Sequence, residues 1–317
     1  MKRFIGILFA VSCVAIFAST ASAVEFVRMV SGPAGGSWYP LGAKVMQVLG
    51  QEVGGISTSN APGGGVGNIK DVGAKNAEIG WSYGHTAYNG FSGRGKFKRA
   101  VKGVRHFATL YPAAFQVAVR RDSPIKTFAD MRDKNISPGK AGWTGTAFAE
   151  SILKAFGFDF ATIKSNGGVV HYVDYSSSVA LMKDRHIDVF MAVTSVPQAS
   201  LIALNFSPGI RMIGLEPEMR SKIVNANPGF ITATIPKSAY GFSEDIPTLG
   251  AVTVMVVSKE LSDKLVYQMA KAFWANHAKF AEVKKIWNSV TLENALNGAA
   301  IPVHPGAQRF YDEKGVK

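Results

Sequence analysis

The chain has 317 residues, 47% hydrophobic and 18% charged, a balance that excludes a disordered chain, a collagen-like fibre and a disulfide-stapled miniprotein. Its length predicts about two domains of ordinary size, and its formal charge of +13 marks it as basic. The single cysteine, Cys13, lies inside an N-terminal apolar run, so a product that loses that run has no thiol nucleophile, disulfide or Cys-bound metal.

The first 23 residues read as an export signal: Lys2-Arg3 is a positive start, Phe4 to Ala18 an apolar stretch, and Ala21-Ser22-Ala23 a small-x-small cleavage site. The apolar stretch is shorter than the ~20 residues of a spanning helix, and Ala10-Val11-Ser12 is a poor lipidation signal ahead of Cys13. Cleavage after Ala23 and a periplasmic product are expected. The mature chain then has 294 residues and a formal charge of +11, because the removed segment carries two cations and no acid. Its Lys and Arg residues are spread without long runs, which reads as a solvated face that attracts anions rather than as a nucleic-acid site.

Strands and helices alternate from there on. Glu25 to Val30 is a β-rich run that stops at the flexible Ser31-Gly32-Pro33-Ala34-Gly35-Gly36, and a helix is predicted from Pro40, with Leu41, Val45, Val48 and Leu49 on one face. Ile56 to Ser59 is a second strand, Gly63 to Gly67 a loop, Asn68 to Lys75 a helix and Ala77 to Trp81 a third strand. Val104 to Leu110 and Phe115 to Val119 read as two strands joined by a turn at Tyr111-Pro112-Ala113-Ala114. The same grammar then repeats, which predicts a second lobe. It begins with a short helix at Phe128 to Arg132, a strand at Asn135 to Gly139, and a helix marked by Phe148, Ile152 and Phe156 that stops at Gly157. Val169 to Val173, Ser176 to Arg185 and Ile187 to Val193 give a strand, a helix and a strand. Pro247 to Val257 is a long strand able to cross back between lobes. Leu265, Met269, Phe273 and Phe280 line one face of a long helix with Ser262 as its N-cap. The expected lobes are residues 24–119 with 248–317, and residues 120–247.

Searching for chemistry yields mostly exclusions. The six His residues, at 85, 106, 171, 186, 277 and 304, show no metal-ligand spacing, and there is no serine-hydrolase elbow and no phosphate-binding P-loop. Gly63-Gly64-Gly65-Val66-Gly67 reads as a turn rather than a dinucleotide loop, since Asn68 stands where the last glycine belongs. No catalytic residue, metal or cofactor is assigned. Two strand-to-helix turns do stand out: Gly35-Gly36-Ser37-Trp38-Tyr39 and Gly142-Trp143-Thr144-Gly145-Thr146. Each places hydroxyls and an aromatic ring where unpaired helix N–H groups attract an anion, although ordinary N-capping uses the same residues. Ser82 and Tyr83, Tyr111, and Thr194 and Ser195 at the end of a strand are further candidates for a cleft wall, with Arg120 or Arg121 as possible charge partners.

The segment Gly35-Gly36-Ser37-Trp38-Tyr39-Pro40-Leu41-Gly42 resembles the signature of TAXI proteins, the solute receptors of one class of TRAP transporters. Ala77-Glu78-Ile79-Gly80, an Ala87-Tyr88-Asn89-Gly90 turn, Leu110-Tyr111-Pro112, Thr291 to Ala295, and His304-Pro305-Gly306-Ala307 with Phe310-Tyr311 resemble further family segments in the same order. The resemblance implies a type II periplasmic-binding-protein fold of the α/β class, two lobes closing on a ligand across crossing hinge strands. It implies ligands such as glutamate, glutamine or 2-oxoglutarate, and delivery to TRAP membrane subunits, small and large or fused. It also implies that Gly36 to Tyr39, Ser82-Tyr83, Tyr111 and Thr144 to Thr146 line the cleft. Ala113 in place of the family's acidic residue, the bulk of Trp38 and Trp143, and a shortened stretch from Trp81 to Thr86 depart from the pattern and bear on the ligand more than on the fold. The expectation is thus a monomeric exported receptor for a small carboxylate. An ABC-type receptor for another anion, a receptor domain of a signalling kinase and a secreted enzyme on the same scaffold are the alternatives.

Overall fold

The computed structural model describes residues 24–33, 35–227 and 229–317; the expected signal peptide, residues 1–23, lies outside them. The chain opens with strand β1 (Glu25–Val30), helix α1 (Trp38–Glu52), β2 (Ile56–Ala61), α2 (Gly65–Gly73), β3 (Ile79–Tyr83) and α3 (Gly84–Ser92). β1 runs parallel to both β2 and β3, as strands joined by crossover helices do. Helix α1 buries Leu41, Val45, Val48 and Leu49, the face that the 3.6-residue period predicts. It starts at Trp38, two residues before the expected Pro40. Pro is accommodated there because the first helical N–H groups have no intrahelical partner.

Two long strands, β4 (Val104–Arg120) and β9 (Ile246–Ser258), connect the halves of the molecule. They pair antiparallel from Val104↔Ser258 to Ala114↔Gly250, with register shifts between His106 and Ala108 and between Thr109 and Pro112. The turn expected at residues 111–114 is therefore absent. Pro112 cannot donate to the ladder, so the strand stays extended through an irregularity instead of folding back. On one side of this pair β9 continues into β3, and on the other β4 pairs with β6 (Val189–Thr194) and β7 (Ile210–Met212). The expected lobe limits at residues 119 and 248 both fall inside these crossing strands.

The second half adds β5 (Ile136–Ser137), which is parallel to β6, and β8 (Phe230–Ile235), which pairs with β9. Around it stand α4 (Thr144–Ala155), α5 (Phe160–Ser165), α6 (Tyr175–Lys183), α7 (Ala199–Phe206) and α8 (Pro217–Ala226). The chain closes with α9 (Asp263–Ala275), the short α10 (Ala278–Ala281) and α11 (Pro305–Glu313). Ser262 caps α9 as expected, accepting from the Leu265 N–H at 3.2 Å. The strand expected over residues 169–173 reduces to one bridge between Ile136 and Val170, and the helix at residues 128–132 to a single turn. The Ala87-Tyr88-Asn89-Gly90 segment is helical, within α3, and not a turn. Among the described residues nine strands thus form one sheet of order β2-β1-β3-β9-β4-β6-β5, with β7 and β8 on the crossing strands. No described helix is long and apolar enough to cross a membrane.

Buried His106 on β4 ties the C-terminal region to the sheet. Its Nε2 donates to the Ala295 carbonyl at 3.1 Å, and its backbone N–H donates to Pro302 O at 2.9 Å. Burial pushes its imidazole down to about 4. The unfolded chain therefore binds a proton there that the folded chain refuses, and stability contributed by this group is full above its ordinary value and lost as pH falls from about 6.5 toward 4. Urea unfolding at stepped pH should show a slope of up to about 1.4 kcal/mol per pH unit from this group. His106→Gln, which keeps a donor and removes the titration, should flatten the profile by that share; an unchanged slope would exclude His106 as its source.

Candidate functional site

The sheet topology brings several helix starts to one place. A cavity of about 30 Å³ lies between the halves, walled by Gly36, Ser37 and Trp38 at the start of α1, Gly64 and Gly65 at the start of α2, and Trp143, Thr144 and Gly145 at the start of α4. None of these three helices has a side-chain cap on its first N–H groups. Their free donors and positive dipole ends therefore converge on the cavity. Tyr83 at the end of β3, Tyr175 at the start of α6, and Val193 and Thr194 at the end of β6 complete the wall with Pro33. No Asp, Glu, Lys, Arg or His is among the lining residues.

The walls touch directly through neutral groups. Ser37 Oγ bonds to Ser195 Oγ and lies 3.3 Å from Thr194 Oγ1. Tyr83 donates its hydroxyl to the Val193 carbonyl at 2.8 Å, and Thr86 Oγ1 meets Thr144 Oγ1 at 3.3 Å. Gln198 Nε2 donates to the Gly35 carbonyl. Burial raises the Tyr83 and Tyr175 phenols well above their usual range, so both stay protonated donors. At roughly 10–15 Å³ per water-sized sphere, the cavity of about 30 Å³ has room for two or three waters and is too small for an organic acid as it stands.

A buried polar network sets the position of the Thr194-Ser195 end. Gln116, a polar residue inside the apolar run of β4, donates to both Thr194 O (3.3 Å) and Ser195 O (3.2 Å), and accepts from the Tyr240 hydroxyl at 2.6 Å. That hydroxyl in turn accepts from the Gln198 N–H at 2.8 Å. Gln116 was legible as an oddity, because a polar side chain in a core strand needs partners. Tyr240 and Gln198 gave no such signal.

The expected residues divide sharply. Gly36, Ser37, Trp38, Tyr83, Trp143, Thr144, Gly145 and Thr194 line the cavity, and Ser195 bonds to its wall. Four do not reach it. Tyr39 is exposed on the outer side of α1. Ser82 faces the opposite side of β3 from Tyr83 and donates to Gly65 O at 3.1 Å, holding the start of α2. Thr146 turns back to donate to Pro138 O and Lys140 O. Tyr111 lies inside the core, edge-on to Trp287 at 6.0 Å, because β4 is straight where a turn was expected. Arg120 is engaged with Ile187 O and Asp188 at the far end of β4, and Arg121 lies against Gly209; neither lines the cavity. Among the described residues no cluster of three or more His, Cys, Asp or Glu side chains is placed to hold a metal.

Gly64 and Gly65 were read as a turn and turn out to be the contact surface of α2 for the opposite wall. A Cβ on Gly64 would overlap the Trp143 ring, and one on Gly65 the Thr144 hydroxyl. The sequence hides this, because the reason for those glycines lies some eighty residues away. Beyond the Thr86–Thr144 pair lies a wider cleft of about 470 Å³, and there the charges gather: Lys96 and Glu150 pair across it at 2.7 Å, with Lys154 and Arg94 nearby.

The model of the NMT1-like family matches residues 29–315. Among solved structures, the periplasmic binding protein BugD superposes with a TM-score of 0.54 at 16% identity, covering 92% of this chain and 98% of its own. An ancestral arginine-binding protein gives 0.49 at 12% identity over 83% of this chain and 98% of its own. The aliphatic sulphonate binding protein SsuA from Escherichia coli gives 0.47 at 13% over 91% and 83%. At such identities the likeness to BugD is one of fold, and the fold is the type II periplasmic-binding-protein fold that the strand order describes.

The contact between the start of α2 and Trp143 needs bare backbone at Gly64. Gly64→Ala is expected to cost the closed form about 1–3 kcal/mol through overpacking while leaving each half folded. Small-angle scattering should then give a larger particle with a melting temperature within a few degrees of the parent's; an identical scattering profile would show that the contact does not limit closure.

Proposed function

The chain belongs to the NMT1-like family, and from that premise we propose that it is an exported solute receptor that captures a small carboxylate between its lobes and hands it to a membrane permease. The observation that carries this reading is the convergence of three uncapped helix starts, from both sides, on one cavity without charged side chains. An anion there is held by N–H groups and helix dipoles, and loses no carboxylate competitor on binding. The indole Nε1 of Trp38, on the cavity wall and buried, has no partner, which leaves a further donor for the guest.

Mechanistically, the open form binds the anion at the start of α1 on one lobe. Closure then brings the α4 start and the Thr194-Ser195 end against it, expels water and strengthens each polar contact. The hinge on this reading is the irregular stretch of β4 near Pro112, opposite Val252 of β9, where the ladder is weakest. The lobes are then the parts on either side of it, close to the limits at residues 119 and 248. The TAXI-like motifs support a TRAP permease as the partner, and the segment 1–23 supports export.

Three measurements test this. Native mass spectrometry of the mature protein, with release of any co-purified molecule, is expected to give an acid that comes off unchanged and raises the melting temperature when added back. Thr144→Pro keeps the first turn of α4, since Trp143 already has the extended ψ of 148° that precedes proline, and removes one N–H and one hydroxyl from the cavity. It should weaken that acid by about tenfold or more; unchanged affinity would remove the α4 turn from the site, and a chemically altered acid would move the reading to an enzyme. Uptake in vesicles that stops on collapse of the ion gradient, and not on depletion of ATP, identifies a TRAP partner over an ABC importer.

A further inference from the structure

The same cavity bears on which carboxylates fit, an inference that rests on the receptor reading above. Every fixed electrostatic feature of its wall has one sign. The starts of α1, α2 and α4 each present free N–H donors and a positive dipole end. No carboxylate answers them, because no Asp or Glu lines the space, and the Gly35 and Val193 carbonyls beside it already accept from Gln198 and Tyr83. The aromatic rings do not form a cage for a cation either. Trp143 and Tyr175 meet edge-on at 5.4 Å and Trp38 leans on Tyr83 at 4.8 Å, so the rings pack against each other in pairs. Glu150, a carboxylate of the outer cleft, is paired with Lys96 and Lys154.

We infer that the receptor selects small organic acids that carry one carboxylate and no ammonium group, such as 2-oxo or 2-hydroxy acids, and discriminates against the corresponding amino acids. An α-ammonium held beside the carboxylate would be buried among positive helix ends with no acidic partner, and a buried unpaired charge is costly. A keto or hydroxyl oxygen at the same carbon finds donors instead: Ser37, Thr144 and Thr194 hydroxyls, and the free Trp38 Nε1. Each helix start supplies about half a positive charge, so the three together match one carboxylate and fall short of two.

Calorimetric titration with matched sets tests this directly: for each chain length from three to six carbons, the 2-oxo, 2-hydroxy and 2-amino monocarboxylates, with 2-oxoglutarate and glutamate as two-acid controls. The oxo or hydroxy member of the best-bound set is expected to bind at least about 30-fold more tightly than its amino counterpart, and more tightly than either control. Thr144→Asp puts a carboxylate at the first position of α4, where helices favour acids, and should reverse the order, raising the amino acid and lowering the oxo acid. Equal or tighter binding of the amino acid by the parent protein overturns the selectivity and leaves the receptor reading intact. Failure of every acid to bind overturns both.

Discussion

The antiparallel pair β4 and β9 is the constraint on which the rest depends. Each strand pairs on both sides of the crossing, so neither half of the sheet is complete without it. The pairing is close where it crosses: a side chain at Gly250 would overlap the Ala113 carbonyl, and Thr248 donates to Phe115 O at 2.6 Å. Beside this tight contact sits the irregular stretch near Pro112, where ladder bonds are missing. Rigidity and compliance thus lie within a few residues of each other on the same strand, which suits a hinge better than a long loop does, because a loop would let the lobes rotate as well as tilt.

Given that frame, the site follows from topology. In an open α/β sheet the helices begin where the strands end, so β1, β2 and β5 lead into α1, α2 and α4 and bring their starts to one edge, beside the C-terminal ends of β3 and β6. Two such edges facing each other concentrate N–H donors that no single lobe can collect. The buried network Gln116, Tyr240 and Gln198 then fixes the height of the Thr194-Ser195 wall. Its members come from β4 and from the segments before α7 and β9. The wall is therefore set by the crossing strand itself, which links cleft geometry to the hinge.

Much of this was legible in the residues, and the failures share a cause. The apolar period of α1, the cap at Ser262 and the strand-to-helix turns at Ser37 and Thr144 are local signals, and each stands as read. What misled was information that sits across the fold. Tyr111-Pro112 has the composition of a turn, yet the pairing of β4 with β9 on one side and β6 on the other keeps it extended. Ser82 and Tyr83 are adjacent in sequence, but on a strand neighbours face opposite ways, so only one of them reaches the cavity. The glycines at 64 and 65 look like loop material until Trp143 is placed against them. A tyrosine at a rim and a tyrosine in a core have the same sequence signature, and only the packing of Trp287 on Tyr111 decides between them.

The seam between the lobes consists largely of hydroxyl pairs: Ser37 with Thr194 and Ser195, and Thr86 with Thr144. A hydroxyl is a rotor whose hydrogen can point either way, so each pair has no fixed polarity, in contrast to the backbone N–H groups around it. In this arrangement the rotors satisfy each other across the seam. On the receptor reading, parting of the lobes breaks these pairs and frees each hydroxyl to turn its hydrogen toward a guest's oxygen or to accept from a guest's hydroxyl, so the seam is held by bonds whose partners are interchangeable between wall, water and guest.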